Sequence, residues 1–168
     1  MVIVLEKILI IDPDKCTGCG ICEVVCSFHH FKQFNPYRSS IYVVRDDEKG
    51  IGIPIVCQHC EVPLCKEACP AGAMYVDEKA GAIKIDKNRC VGCRYCMIAC
   101  PFGGLTVDPL TMVMLKCDLC DGDPQCAKFC PREAIAYLPA DRINYLKKKA
   151  GAEKLSELFE VLVYRRAK

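Results

Sequence analysis

Apolar and polar residues alternate in three paired stretches of the chain. Ile41 to Val44 and Ile53 to Val56 flank the run Asp46-Asp-Glu-Lys-Gly, Met74 to Val76 and Ala82 to Ile85 flank Asp77-Glu-Lys-Ala-Gly, and Leu105 to Val107 and Met112 to Leu115 flank Asp108-Pro-Leu. A period of two sends successive side chains to opposite faces of a strand, and a polar run with glycine or proline reverses the chain. Each pair therefore predicts a β-hairpin. A different period governs the end of the chain. Leu155, Leu158, Phe159 and Leu162 fall on one helical face with lysines and glutamates around them, which predicts an amphipathic helix within residues 141–168, packed on its own domain or docked on a larger subunit. The Lys147-Lys-Lys run reads as a solvated face.

What the alternation does not explain is cysteine. Of 168 residues, sixteen are cysteines, a density that fits a disulfide scaffold, a set of zinc sites or iron–sulfur clusters. They fall into four groups of four with none left over: Cys16, Cys19, Cys22, Cys26; Cys57, Cys60, Cys65, Cys69; Cys90, Cys93, Cys96, Cys100; and Cys117, Cys120, Cys126, Cys130. The first and third have the C-x2-C-x2-C-x3-C spacing of bacterial ferredoxins, while the middle gap is wider in the other two. Three cysteines so spaced can wrap a short loop around one cube, and the fourth starts a helical turn that points elsewhere. One or two helical turns are expected after each fourth cysteine.

Gly18 and Gly92 lie between the first two cysteines of their groups, where a missing side chain lets backbone approach an inorganic core. Pro70, Pro101 and Pro131 follow the last cysteine of three groups and mark a turn away from it; the first group has Ser27 instead. Zinc takes four ligands, usually as two separated pairs, and fits the compressed first and third groups poorly. Disulfides need an oxidising compartment, and the opening residues Met1 to Lys7 lack the features of a signal peptide. No apolar run approaches the ~20 residues of a membrane span. A cytoplasmic protein is expected. The formal charge of +2 counts cysteines as neutral, so four bound cubanes would bring it to about −6, and nothing points to nucleic acid.

The chain repeats itself. Asp14 to Cys26 matches Asn88 to Cys100, and residues 57 to 76 resemble 117 to 138, an A-B-A-B order that marks a duplicated two-motif unit. The short gap between Cys69 and Cys90 suits a compact two-cluster module built from groups two and three, with groups one and four closing around it. Sequential pairing of one with two and three with four stays open on spacing alone.

The four groups, the run Cys57-Gln-His-Cys-Glu-Val-Pro-Leu-Cys-Lys-Glu-Ala-Cys-Pro, and Cys16-Thr-Gly-Cys-Gly-Ile-Cys with Cys26-Ser-Phe-His-His resemble the four-cluster, ferredoxin-like electron-transfer subunits of molybdenum and tungsten pterin enzymes, carbon monoxide dehydrogenases and some hydrogenases. The likeness covers residues 5 to about 140 and is greatest to the small iron–sulfur subunit of tungsten aldehyde oxidoreductases. It implies an α+β fold of two interlocked bacterial-ferredoxin-like modules, with short β-hairpins and short helices around four cubanes. Residues 1–140 would form that domain, with an inner module at about 57–107. It further implies four 4Fe-4S clusters, held by Cys16, Cys19, Cys22 and Cys130; by Cys57, Cys60, Cys65 and Cys100; by Cys90, Cys93, Cys96 and Cys69; and by Cys117, Cys120, Cys126 and Cys26. The twin-arginine leader and C-terminal membrane helix of some members are not seen in this sequence, so a periplasmic, membrane-anchored role is not expected.

With every ligand position filled by cysteine, His59 is expected not to bind metal. His29 and His30 lie among Phe28, Phe31, Phe34 and Tyr37, a segment expected to cover the first cluster or to dock a partner. Lys66, Arg94, Lys116 and Lys128 adjoin cysteines and would favour the more negative reduced clusters where they are not simply solvated. No nucleophile, acid–base pair or open metal position is identified, so no catalytic residue is expected. The expected role is a relay of single electrons between a catalytic subunit, of the tungsten or molybdenum pterin aldehyde-oxidising type, and ferredoxin or another redox partner. A subunit of a carbon monoxide dehydrogenase or hydrogenase, a free polyferredoxin, and a structural zinc module are the competing readings.

Overall fold

A computed structural model of the protein describes residues 7–140 apart from 47, 49, 78 and 79, together with residue 152. The helix expected within 141–168, with Leu155, Leu158, Phe159 and Leu162, lies outside the described residues. Eight short strands form four two-stranded antiparallel sheets among them. In chain order the elements are β1 (Lys7–Ile11), α1 (Ile21–Phe31), β2 (Ile41–Asp46), β3 (Ile51–Val56), α2 (Leu64–Glu67), β4 (Met74–Asp77), β5 (Ala82–Ile85), α3 (Tyr95–Ile98), β6 (Leu105–Val107), β7 (Met114–Lys116), α4 (Gln125–Lys128) and β8 (Ile135–Pro139). This is a mixed fold of hairpins and short helices.

The three hairpins form where alternation places them, as β2–β3, β4–β5 and β6–β7. The last pairs Leu105 with Lys116, so its second strand starts two residues later than Met112. Met112 is still in the turn: it has a φ of 60°, and its N–H donates to the Asp108 carbonyl at 2.8 Å. The fourth sheet joins opposite ends of the described chain, with Ile11 opposite Ile135 in β1–β8.

The short helices are not where the cysteine spacing suggested. They begin before the third cysteine of each group and contain it, and α2, α3 and α4 end before the fourth. Proline after the fourth cysteine disfavours helical backbone at that cysteine, which ends the helix. Group one has Ser27 there, and α1 runs on through Cys26 to Phe31, where Lys32 at φ 55° closes it.

Apolar side chains gather in two cores. One joins Ile41, Val43 and Val56 of the first hairpin to Leu119 and Ile135; the other joins Met74, Ile83, Leu105 and Met114. Cysteines belong to both: Cys22, Cys26, Cys57, Cys117 and Cys126 to the first, Cys65 and Cys96 to the second. The core of this protein is thus built around thiols.

Candidate metal centres

Each helix carries its third cysteine inward. Cys22, Cys65, Cys96 and Cys126 are all buried, whereas Cys19 and Cys93, on the preceding loops, are exposed. The loops bend because Gly18 and Gly92 have φ of 71° and 68°. The space left by their missing side chains is occupied by polypeptide: a Cβ on Gly92 would lie 2.8 Å from the Met112 carbonyl oxygen, and one on Gly18 would meet the Arg45 side chain and Gly52. Arg45 also donates from Nε to the Gly18 carbonyl at 2.7 Å and from Nη2 to buried Glu23 at 2.5 Å, which ties the Cys16 loop to α1 and β2.

The sixteen thiols are free, and they surround four cavities. Cys16, Cys19, Cys22 and Cys130 line one, with Val43, Pro54 and Ile135. Cys57, Cys60, Cys65 and Cys100 line the second, with Ile83 and Leu105. The third is lined by Cys69, Cys90, Cys93 and Cys96 with Met74, Ile85 and Met114, and the fourth by Cys26, Cys117, Cys120 and Cys126 with Ile41, Val56 and Leu119.

Sulfur spacing and thiol chemistry test what fits there. A tetrahedral zinc ion with bonds of about 2.3 Å needs its sulfurs about 3.8 Å apart. Among the described residues the one compact group of potential metal donors is His29, His30 and Cys120, whose ligand atoms lie within 4.8 Å of one another, and none of the cysteine quartets forms one. Four cysteines line each cavity, the ligand number that one cube with a thiolate at each iron would need. Burial pushes the Cys22 and Cys126 thiols up to about 12 and those of Cys96 and Cys120 to about 11, and it also raises Cys26, Cys60, Cys65 and Cys117. Thiolates at such positions need a bound cation, and iron supplies one. Backbone donors support four of the sulfurs: the N–H groups of Ser40, His59, Ala73 and Ala134 point at Cys26, Cys57, Cys69 and Cys130 at 3.2–3.4 Å.

The histidines stand elsewhere than expected. His59 is buried and its Nδ1 accepts the Ile83 N–H at 3.3 Å; burial, and then the Lys116 charge, pull its pKa down to about 3. His30 lies 3.8 Å from the Cys120 sulfur and 3.5 Å from the Asp118 carboxylate. The aromatic segment therefore adjoins the fourth cavity, not the first, and Phe28 stacks on Phe34 at 4.7 Å with both rings exposed. Lys66 and Lys128 are solvated, at 40% and 54% side-chain exposure, and Arg94 is exposed. Lys116 is buried, which its sequence context did not reveal.

Residues 48–138 match the 4Fe-4S dicluster domain model and residues 8–31 a 4Fe-4S binding domain model. The chain is 39% identical over 128 residues to the "aliphatic sulfonate oxidoreductase, polyferredoxin-like subunit" of Pyrococcus furiosus, covering 76% of this chain and 73% of that one. It is 35% identical over 161 residues to the B subunit of the anaerobic dimethyl sulfoxide reductase of Escherichia coli, covering 84% of this sequence and 76% of that one. One polypeptide of the solved "Active site complex BamBC of Benzoyl Coenzyme A reductase" aligns with 29% identity over 96% of this chain and 97% of its own, at a TM-score of 0.48.

Proposed function

The protein belongs to the 4Fe-4S dicluster domain family, and on that premise we propose that it is the electron-transfer subunit of an oxidoreductase complex, carrying four 4Fe-4S clusters in the four cysteine-lined cavities. The observation that carries the proposal is the composition of those cavities. Each is lined by three cysteines of one group and one of another. Groups one and four exchange Cys26 and Cys130, and groups two and three exchange Cys69 and Cys100. Such exchange is the ligand logic of two-cluster ferredoxins, here in two interlocked modules. The inner module spans about 57–107.

A bound cluster of this type takes up and returns one electron. The chain's own residues make that a clean electron step. Sixteen thiolates fix the sites, Ile, Val, Leu and Met side chains exclude water from them, and N–H groups at four sulfurs stabilise thiolate charge. Among the described residues that line the cavities, none is assigned a role on an organic substrate.

The proposed partner is a larger catalytic subunit with a tungsten or molybdenum pterin site that oxidises an aldehyde. Aldehyde oxidation releases two electrons, and a series of one-electron carriers passes them on singly to ferredoxin or a similar acceptor. The named relatives are themselves subunits of oxidoreductases, which supports a catalytic partner. The proposed site of action is the cytoplasm, where thiols are kept reduced and available for cluster assembly. Native purification of the complex, with mass spectrometry of its large subunit and elemental analysis, tests this. Tungsten or molybdenum in a co-purifying large subunit is expected; a nickel enzyme, or no large subunit, would refute the partner assignment.

A further inference from the structure

Other cations that lean on the core among the described residues have acidic partners. Arg38 pairs with Asp108, Arg45 with Glu23, and Lys84 with Asp77 and Asp121. Lys116, the last residue of β7, is 9% exposed, and its Nζ meets only carbonyls: Ile83 at 2.7 Å and Cys117 at 3.5 Å. Among the described residues no carboxylate pairs with it. A buried ammonium without an anion is costly, and carbonyl dipoles offset that cost only in part.

Its surroundings supply the missing charge. Ile83, whose carbonyl holds the ammonium, lines the cavity of Cys57, Cys60, Cys65 and Cys100. Cys117, the next residue in the chain, lines the cavity of Cys26, Cys117, Cys120 and Cys126. The ammonium is therefore held by a residue that lines a site of the inner module, and it belongs to the residue just before one that lines a site of the outer module. His59 takes the other backbone group on the same edge by accepting the Ile83 N–H, which leaves its Nε2 with the ring proton, buried and without a partner among the described residues.

We propose that Lys116 is the built-in counter-charge of these two cluster sites, holding the electron preferentially at the junction between the outer and inner modules. This rests on the four-cluster reading above. Reduction of either site adds one electron from a neighbouring cluster, makes and breaks no bond, and takes the site from about −2 to about −3. The fixed ammonium stabilises the more negative state and draws electrons to the crossing point between modules.

The test is an EPR-monitored redox titration, at fixed pH, of the full chain and its Lys116→Gln and Lys116→Arg variants. At the poise where the affected wild-type cluster is half reduced, Lys116→Gln should lower the ratio of reduced to oxidised cluster about tenfold, a shift of about 59 mV for one electron. One or two of the four clusters should move, and Lys116→Arg should titrate like wild type. Unchanged titration of Lys116→Gln, or an equal shift in Lys116→Arg, would overturn the proposal. If Lys116→Gln fails to retain iron while Lys116→Arg retains it, the need for charge is established by cluster loading itself. Loss of iron from both variants would make the residue structural and sink the inference. Wild-type protein with fewer than four clusters would instead remove the reading beneath it, so the two failures are distinguishable.

Discussion

At the scale of single residues, buried charge here is met by partners chosen from afar. Asp108 is 2% exposed, and Arg38 grips it through Nε at 3.0 Å and Nη2 at 2.6 Å while its own plane lies 3.8 Å from the Phe31 ring centre. Arg38→Met strands a buried carboxylate and should cost about 3–5 kcal/mol of unfolding free energy, measured by denaturant titration. Burial alone would raise the Asp108 pKa, but hydrogen bonds from Arg38, the Leu110 N–H and Thr111, with the guanidinium charge, hold it below the ordinary value. A carboxyl depressed in the folded state contributes stability that is full above its unfolded pKa of about 3.9 and fades as pH falls through the folded value. The stability advantage of wild type over Asp108→Asn should therefore be constant near neutrality and shrink below about pH 4. Cys26→Ala makes a different test. It should remove about three to four irons and the EPR signal of the site of Cys117, Cys120 and Cys126, while the site of Cys16, Cys19 and Cys22 persists. Loss confined to the Cys16 site would contradict the proposed exchange. Cysteines announce themselves by type and spacing. Lys116, Glu23 and His59 do not, because a polar residue destined for burial looks in sequence like a solvated one until its distant partner is known.

Among elements, hairpins were legible because a two-residue period and a turn are local. The β1–β8 sheet was not, since its strands pair from opposite ends of the described chain and share no turn. Helix ends followed proline rather than cysteine spacing, and Ser27 gave α1 its extra turns. The open edges of the small sheets are closed by side chains. In β2 both backbone groups of Val43 are taken, its N–H by Glu23 at 2.8 Å and its carbonyl by Arg45 at 3.2 Å, so Pro54 opposite it needs no N–H of its own. In β5, His59 and Lys116 do the same for Ile83. The first hairpin also buttresses a metal centre. A Cβ on Gly52 of β3 would come within 2.6 Å of Gly18 backbone and 3.1 Å of the Cys16 sulfur. Gly52→Ala should push the Cys16 loop away and lower iron by about four atoms. Gly50→Ala, at φ 64° but with nothing within 4 Å, should cost about 1–2 kcal/mol without iron loss. Iron analysis beside thermal melts separates the two; full iron in Gly52→Ala would show that the hairpin does not position the loop.

For the whole molecule, seven of the sixteen thiols take core places that aliphatic side chains fill in an ordinary protein, and several sit where burial strongly disfavours an unbound thiolate. Stability and function should then depend on the same atoms, with the bound clusters completing the core. The duplicated sequence made four groups visible. It could not decide which group shares with which, because that is fixed by contacts between segments far apart in the chain, as in the cavity that brings Cys26 beside Cys117, Cys120 and Cys126. The most direct test of the account is metal and sulfide analysis of anaerobically purified native protein together with its Mössbauer spectrum. The account predicts about sixteen irons and about sixteen sulfides per chain, all in cubane clusters and with negligible zinc. About eight irons, or zinc at about one ion per four cysteines, would contradict it.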